Sequence, residues 1–283
     1  CVSAIDGLHN SGPTTMSQLA DYRLLGELGC GSLGRVLLVR LQSSRTLRAM
    51  KVVERGQVSS AKQLAQLEAE GEVLAAISHP YIVKLYHTIR DAACNYYVLA
   101  YAAGGDLMAL ILRNGRIDEP ASRVVVGSLV LALQHLHEEY SVVYRDVKPE
   151  NVLVGADGHV LLADFNTARR LDDDTDGITA IGTPEYVAPE VVGGDGYSFA
   201  ADWWGIGVLL HEVLLGQPPF MPSARRAGPN SASHCSSASG GERTSDRPAV
   251  PADAAAADAA AAAVAGQQQE AFLHGEKGGG GGG

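Results

Sequence analysis

The hydrophobic pattern changes character at Gly104-Gly105, and this change constrains the fold more than any other feature of the chain. Before that point apolar residues come in short runs broken by glycine, among them Val36 to Val39, Ala49 to Val53, Ile82 to Leu85 and Tyr96 to Tyr101. Runs of that length and spacing predict a small antiparallel sheet. One segment interrupts it, residues 60–77, where Leu64, Leu67, Val73, Leu74 and Ile77 approach helical spacing until Ser78-His79-Pro80 stops them. After the glycine pair, residues 120–139, opened by Pro120, and residues 200–215 are apolar on most faces, as buried helices are. Between them lie turn-rich segments dense in Asp, Asn, Gly and Pro, the composition of functional loops on a rigid scaffold. The expected class is α+β, a strand-rich half followed by a helical half.

The outer segments read differently. Residues 1–20 have the composition of a linker, and order is expected to begin near Asp21. From Ser223 onward the only large apolar residues are Val250, Val264, Phe272 and Leu273, so residues 222–283 cannot build a core and read as a low-complexity disordered tail. Residues 21–101 and 102–221 are then the two folded parts.

Charge and cysteine usage exclude several functions. Thirty-two acidic residues against 22 basic ones give a net charge of −10, the wrong sign for holding nucleic acid by bulk charge. Cys1, Cys30, Cys94 and Cys235 lie far apart, which suggests neither a zinc site nor a disulfide framework and favours a reducing, cytoplasmic setting. The most apolar stretches, Val124 to Leu133 and Ile206 to Leu215, fall short of the ~20 residues that span a bilayer.

Gly29-Cys30-Gly31-Ser32-Leu33-Gly34-Arg35-Val36 reads G-x-G-x-x-G-x-V between two strand candidates. Missing side chains there let backbone N–H groups approach phosphate oxygens. A dinucleotide fingerprint would open a helix instead, and no G-x-x-x-x-G-K-[ST] loop is present. Lys51 follows fifteen residues after Val36, its stem among apolar neighbours and its ammonium in need of a counter-charge that Glu70 can supply. Tyr144-Arg145-Asp146-Val147-Lys148-Pro149-Glu150-Asn151 then packs candidate proton and metal ligands with two cations into eight residues. Asp164-Phe165-Asn166 and Gly182-Thr183-Pro184-Glu185-Tyr186-Val187-Ala188-Pro189-Glu190 come after it.

In this order and spacing the set resembles the eukaryotic protein kinases, over residues 22 to 220. Tyr-Arg-Asp, Gly-Thr-Pro-Glu-Tyr and Ala-Gly-Gly-Asp are similar to the AGC group, which includes the cyclic-nucleotide-dependent kinases. Asp164-Phe165-Asn166 and the segment Gly196 to Trp204 resemble instead its YANK-like members. The resemblance implies a bilobal fold, with a β-rich N-lobe carrying one helix and an α-rich C-lobe that lacks its last helices. It implies ATP and Mg2+ as cofactors and Ser/Thr hydroxyls as acceptors.

By the same resemblance, Leu28, Gly29, Gly31, Gly34, Val36, Ala49, Leu99, Tyr101, Ala102 and Leu153 surround the nucleotide. Lys51, held by Glu70, grips the α- and β-phosphates. Asn151 and Asp164 hold the metal, Asp146 accepts the hydroxyl proton, and Lys148 neutralises charge on the transferring phosphate. Asp106, Glu150 and Glu212 stand where basophilic AGC kinases bind substrate arginines, and Thr183 marks Ser/Thr specificity. Thr179 stands at the activation-loop phosphorylation position, with Arg145 and Arg169 as partners for its phosphate and an upstream activating kinase as the implied regulator. The expected partners are proteins with basic residues near the acceptor. Asn166, where the family has glycine, and the missing last helices motivate the alternative of a nucleotide-binding pseudokinase acting as an interaction module.

Overall fold

The computed structural model describes residues 18–31, 34–57, 71, 73–171 and 182–220. Glu70, Thr179, most of the segment 60–77 and the tail 222–283 lie outside the described residues.

Five strands make the first sheet: β1 (Tyr22–Gly31), β2 (Gly34–Leu41), β3 (Leu47–Glu54), β4 (Leu85–Arg90) and β5 (Cys94–Ala100). They pair antiparallel in the order β1-β2-β3-β5-β4. Successive side chains on a strand point to opposite faces, so register decides what each face presents. Leu37, Val39, Met50, Val52, Tyr96 and Val98 close into one apolar cluster. The alternate positions form the other face, where Val36 stands opposite Lys51 and Lys51 opposite Tyr97, with Ala49 opposite Leu99 one row on.

The expected strand at Ile82 to Leu85 is displaced. Ile82 makes only an isolated parallel bridge to Leu162, and β4 runs from Leu85 through exposed Tyr86, His87 and Thr88. It is an edge strand held by backbone pairing to β5, and its polar side chains hide it from a search for apolar runs.

The second half is helical around one large core. Helix α1 (Leu107–Asn114) is capped by Asp106, whose Oδ1 accepts from Ala109 N at 2.7 Å. Helix α2 (Glu119–Tyr140) starts at Asp118, which caps Ala121 N at 2.9 Å, with proline in its first turn where a missing N–H costs nothing. Leu129, Ala132, Leu133 and Leu136 of α2 are fully buried. Short strands follow: β6 (Val142–Val143), β7 (Val152–Val154), β8 (Val160–Leu162) and β9 (Arg169–Arg170), paired β6 with β9 and β7 with β8. Helix α3 (Pro189–Gly193) and helix α4 (Phe199–Leu215) complete the described fold, α4 packing on α2. Among the described residues no helix is long and apolar enough to cross a membrane.

Candidate active site

A cleft of about 220 Å³ lies between the sheet and the helical half. The sheet contributes Gly34, Val36, Ala49, Lys51, Tyr97, Leu99 and Ala100, and the second half contributes Glu150, Asn151, Leu153 and residues 163–166. Of the residues expected around a nucleotide, Leu28, Gly29, Gly31, Tyr101 and Ala102 are not among its described lining residues. Leu28, Gly29 and Gly31 belong to β1, where Gly29 pairs with Val36 and Gly31 with Gly34. Gly34 owes its identity to a close approach, because a Cβ there would sit 2.1 Å from Val52 O.

Lys51 enters the cleft because it sits at the odd parity of β3, between core-facing Met50 and Val52. Its Nζ donates to Asp164 Oδ1 at 3.0 Å and to Asn166 Oδ1 at 2.8 Å. An ammonium that is 13% exposed gains from such anionic and dipolar acceptors, which offset its desolvation. The expected pairing with Glu70 falls outside the described residues.

Four groups converge on the loop between β6 and β7. Lys148 Nζ lies 2.7 Å from Asp146 Oδ2 and donates to Thr183 Oγ1 at 2.9 Å. Thr183 donates from both its hydroxyl and its backbone N–H to Asp146 Oδ1, each at 3.2 Å. Asn151 Nδ2 donates to Asp146 O at 2.8 Å and to Oδ2 at 2.9 Å. Its amide nitrogen thus committed, Asn151 keeps a neutral oxygen donor for a cation. With the Asp164 carboxylate it makes the hard oxygen set that Mg2+ prefers when substrate phosphates complete the shell. The residues present fit the implied metal.

The backbone under this network is strained and held. Arg145 has φ 73° and Asp164 φ 54°, conformations that cost non-glycine residues ~1–3 kcal/mol each and persist only where their surroundings enforce them. For Arg145 the enforcing group is Asp202, which is 1% exposed. Its Oδ2 accepts from Tyr144 N and its Oδ1 from Arg145 N, both at 2.8 Å, and His137 Nε2 stands 2.8 Å from Oδ2. Asp202 and His137 are functional supports that the sequence reading missed. The available signal was a carboxylate inside an apolar helix, since a buried charge requires partners. Gly182, at φ 113°, closes against the same loop, with room for a Cβ only 2.9 Å from Arg145 O.

The segment Asp164-Phe165-Asn166 holds its one left-handed residue at its start. The left-handed residue is Asp164, not Asn166, so asparagine there carries no backbone penalty. Phe165 is 1% exposed and packs edge-on against Tyr144 at 5.4 Å between ring centroids, while the Tyr144 hydroxyl donates to Ala163 O. Burial, with the nearby Asp164, Asp146 and Asp202 carboxylates adding to it, holds the Tyr144 phenol well above its usual range.

Asp106, Glu150 and Glu212 lie close enough to raise one another's carboxyls in sequence, Asp106 acting on Glu150 and Glu150 on Glu212. Glu212 is 4% exposed and accepts from the Tyr186 hydroxyl; burial, then Glu150 and Glu185, push its carboxyl up to about 7. Burial likewise raises Glu150, with Asp106 and Asp146 adding repulsion against a lowering by Lys148. Asp106 contributes to that field while one of its oxygens caps α1. Arg145, expected to meet a phosphate on Thr179, lies over the Tyr197 ring at 5.1 Å, and Arg169 donates to Ala168 O at 2.6 Å.

A sheet whose cleft-face lysine pairs with Asp164, beside a loop bearing Asp146, Lys148 and Asn151, is the arrangement of a protein kinase domain. The family model described as "Protein kinase domain" matches residues 22–248, and the chain belongs to that family. It is similar to "Protein kinase 2" of Dictyostelium discoideum, at 40% identity over 71% of this chain and 42% of the relative. The "cAMP-dependent protein kinase catalytic subunit PRKX" of Homo sapiens is 38% identical over 71% of this chain and 56% of its own length. The "cAMP-dependent protein kinase type 3" of Saccharomyces cerevisiae is 37% identical over 72% and 51%. The chain spans about half the length of these curated relatives.

Proposed function

We propose that the chain transfers the γ-phosphate of ATP to Ser or Thr hydroxyls of proteins carrying arginine near the acceptor, in a cytoplasmic setting. The carrying observation is the joint hold of Lys148 and Thr183 on Asp146, with Asn151 bound to the same carboxylate. Phosphoryl transfer asks little covalent chemistry of a protein and much positioning of charge. Asp146 would accept the hydrogen bond of the incoming hydroxyl and orient it, with Lys148 beside it for the charge that spreads over the moving phosphoryl oxygens. Lys51 would hold the α- and β-phosphates, and Val36, Ala49 and Leu153 would enclose the base. Asn151 and Asp164 would hold Mg2+, which supplies neutralisation of the β- and γ-phosphate oxygens. Asp106, Glu150 and Glu212 supply the negative surface that suits a guanidinium. Phosphorylation of Thr179 by an upstream kinase belongs to the same reading.

Radiolabelled ATP with an arginine-rich peptide library, comparing the wild type with Asp146→Ala, tests it. Label should appear on Ser or Thr and fall by about two to four orders of magnitude in the variant, the usual worth of a positioned base. ATP hydrolysis without peptide labelling, unchanged in Asp146→Ala, would refute the transfer reading in favour of a nucleotide-binding scaffold.

A further inference from the structure

The contact between Lys51 and Asn166 has no counterpart where this position is glycine, because it needs a side chain. A lysine ammonium only donates, so the atom facing it at 2.8 Å is the amide oxygen of Asn166. Lys51 thereby grips both residues that flank Phe165, Asp164 at 3.0 Å and Asn166 at 2.8 Å. Phe165 itself is buried against Tyr144. Rotating the segment so that Phe165 leaves its seat requires breaking the ammonium's contacts with Asp164 and Asn166 as well as the aromatic one.

We infer that Asn166 is a positioning residue that clamps the segment 164–166 through Lys51, holding Asp164 toward the cleft and Phe165 in its seat before any nucleotide binds. The inference rests on the reading of the cleft as an ATP site and deepens it. Because Asn166 is outside the left-handed region, shortening its side chain changes the clamp without relieving backbone strain. The amide's role is that of an acceptor, so Asp, which keeps an oxygen at the same reach, should preserve it, and Ala should not.

Two probes, used without metal on the 283-residue chain, separate the possibilities. One is a nonhydrolysable ATP analogue; the other is an inhibitor whose aromatic tail occupies the space Phe165 vacates on rotation. Asn166→Ala should bind the tail-bearing inhibitor about 13- to 160-fold more tightly than the wild type, the range for one lost hydrogen bond to a charged group. Asn166→Asp should bind the inhibitor no more tightly than the wild type does. An unchanged inhibitor affinity in Asn166→Ala, or a gain in Asn166→Asp equal to that in Asn166→Ala, overturns the clamp. Failure of the wild type to bind the ATP analogue once Mg2+ is added overturns the underlying ATP-site reading instead. Urea midpoints of the three proteins exclude a general loosening as the source of any gain.

Discussion

Replacing Asp202 by Asn tests how the catalytic loop is held. The aspartate is 1% exposed and receives the backbone N–H groups of Tyr144 and Arg145 at 2.8 Å, with His137 Nε2 at the same distance. Asparagine is nearly the same size, so no cavity opens, but it offers one oxygen and one NH2 where two anionic oxygens stood. Whichever way the amide turns, at least one backbone N–H meets another donor, and the other loses its charge assistance. Hydrogen bonds to charged groups contribute ~1.5–3 kcal/mol, and an orphaned buried donor costs ~1–3 kcal/mol. The two effects overlap, so a net loss of about 2–4 kcal/mol is expected, against a typical total of ~5–15 kcal/mol. In a domain of this size that lowers the melting temperature by roughly 5–15 °C. The released backbone also lets Arg145 leave its left-handed conformation and carry Asp146 away from Lys148, so kcat should fall by at least about tenfold with the KM for ATP little changed. Thermal unfolding followed by circular dichroism, with steady-state kinetics well below the transition, measures both. A shift under 2 °C with unchanged kcat would show that the three contacts do not support the loop.

Glu212 gives a pH-dependent outcome. With its carboxyl raised to about 7, it gains charge as pH rises from 6 to 8, so the KM for an arginine peptide should fall several-fold over that span. Glu212→Gln should show a high, flat KM, and a citrulline peptide should show no such dependence in the wild type. The sign for folding is opposite: the folded chain holds this proton more tightly than the unfolded one. Glu212 therefore removes stability as pH climbs from the ordinary carboxyl range to about 7, a loss that urea titration of the wild type and Glu212→Gln resolves. Gly34→Ala places a Cβ 2.1 Å from Val52 O, so the β2–β3 ladder must shift; a loss of ~1–3 kcal/mol and a raised KM for ATP are expected from denaturant unfolding and kinetics. Lys51→Met should keep the fold, since the methionine stem packs as the lysine stem does, while peptide phosphorylation falls by about two orders of magnitude or more.

The division into a strand-rich and a helical half was legible because hydrophobic period is a local property. Residues 120–139 and 200–215 emerge as helices Glu119–Tyr140 and Phe199–Leu215, nearly at the expected bounds. The edge strand Leu85–Arg90 was not legible, because its side chains are polar and only its pairing partner makes it a strand. The same contrast holds at the site. Lys51, Asp146, Lys148, Asn151, Asp164 and Thr183 were named through the resemblance of their motifs to the protein kinases, and the structure gathers them at the cleft and around one loop. Asp202 and His137 escaped, since Asp202 acts on backbone N–H groups 57 and 58 residues away and meets His137 across 65, and nothing local marks that. The contact of Asn166 with Lys51 is one that only the folded position of Lys51 discloses.

The alternation in β3 has a consequence for how this gene can change. With the pairing before it kept in register, a single codon removed between Leu47 and Lys51 reverses parity for every side chain beyond it. The ammonium would then be driven in among Leu37, Val39 and Tyr96 and a thioether or isopropyl group would face the cleft, so one frame-preserving deletion would damage core and cleft together.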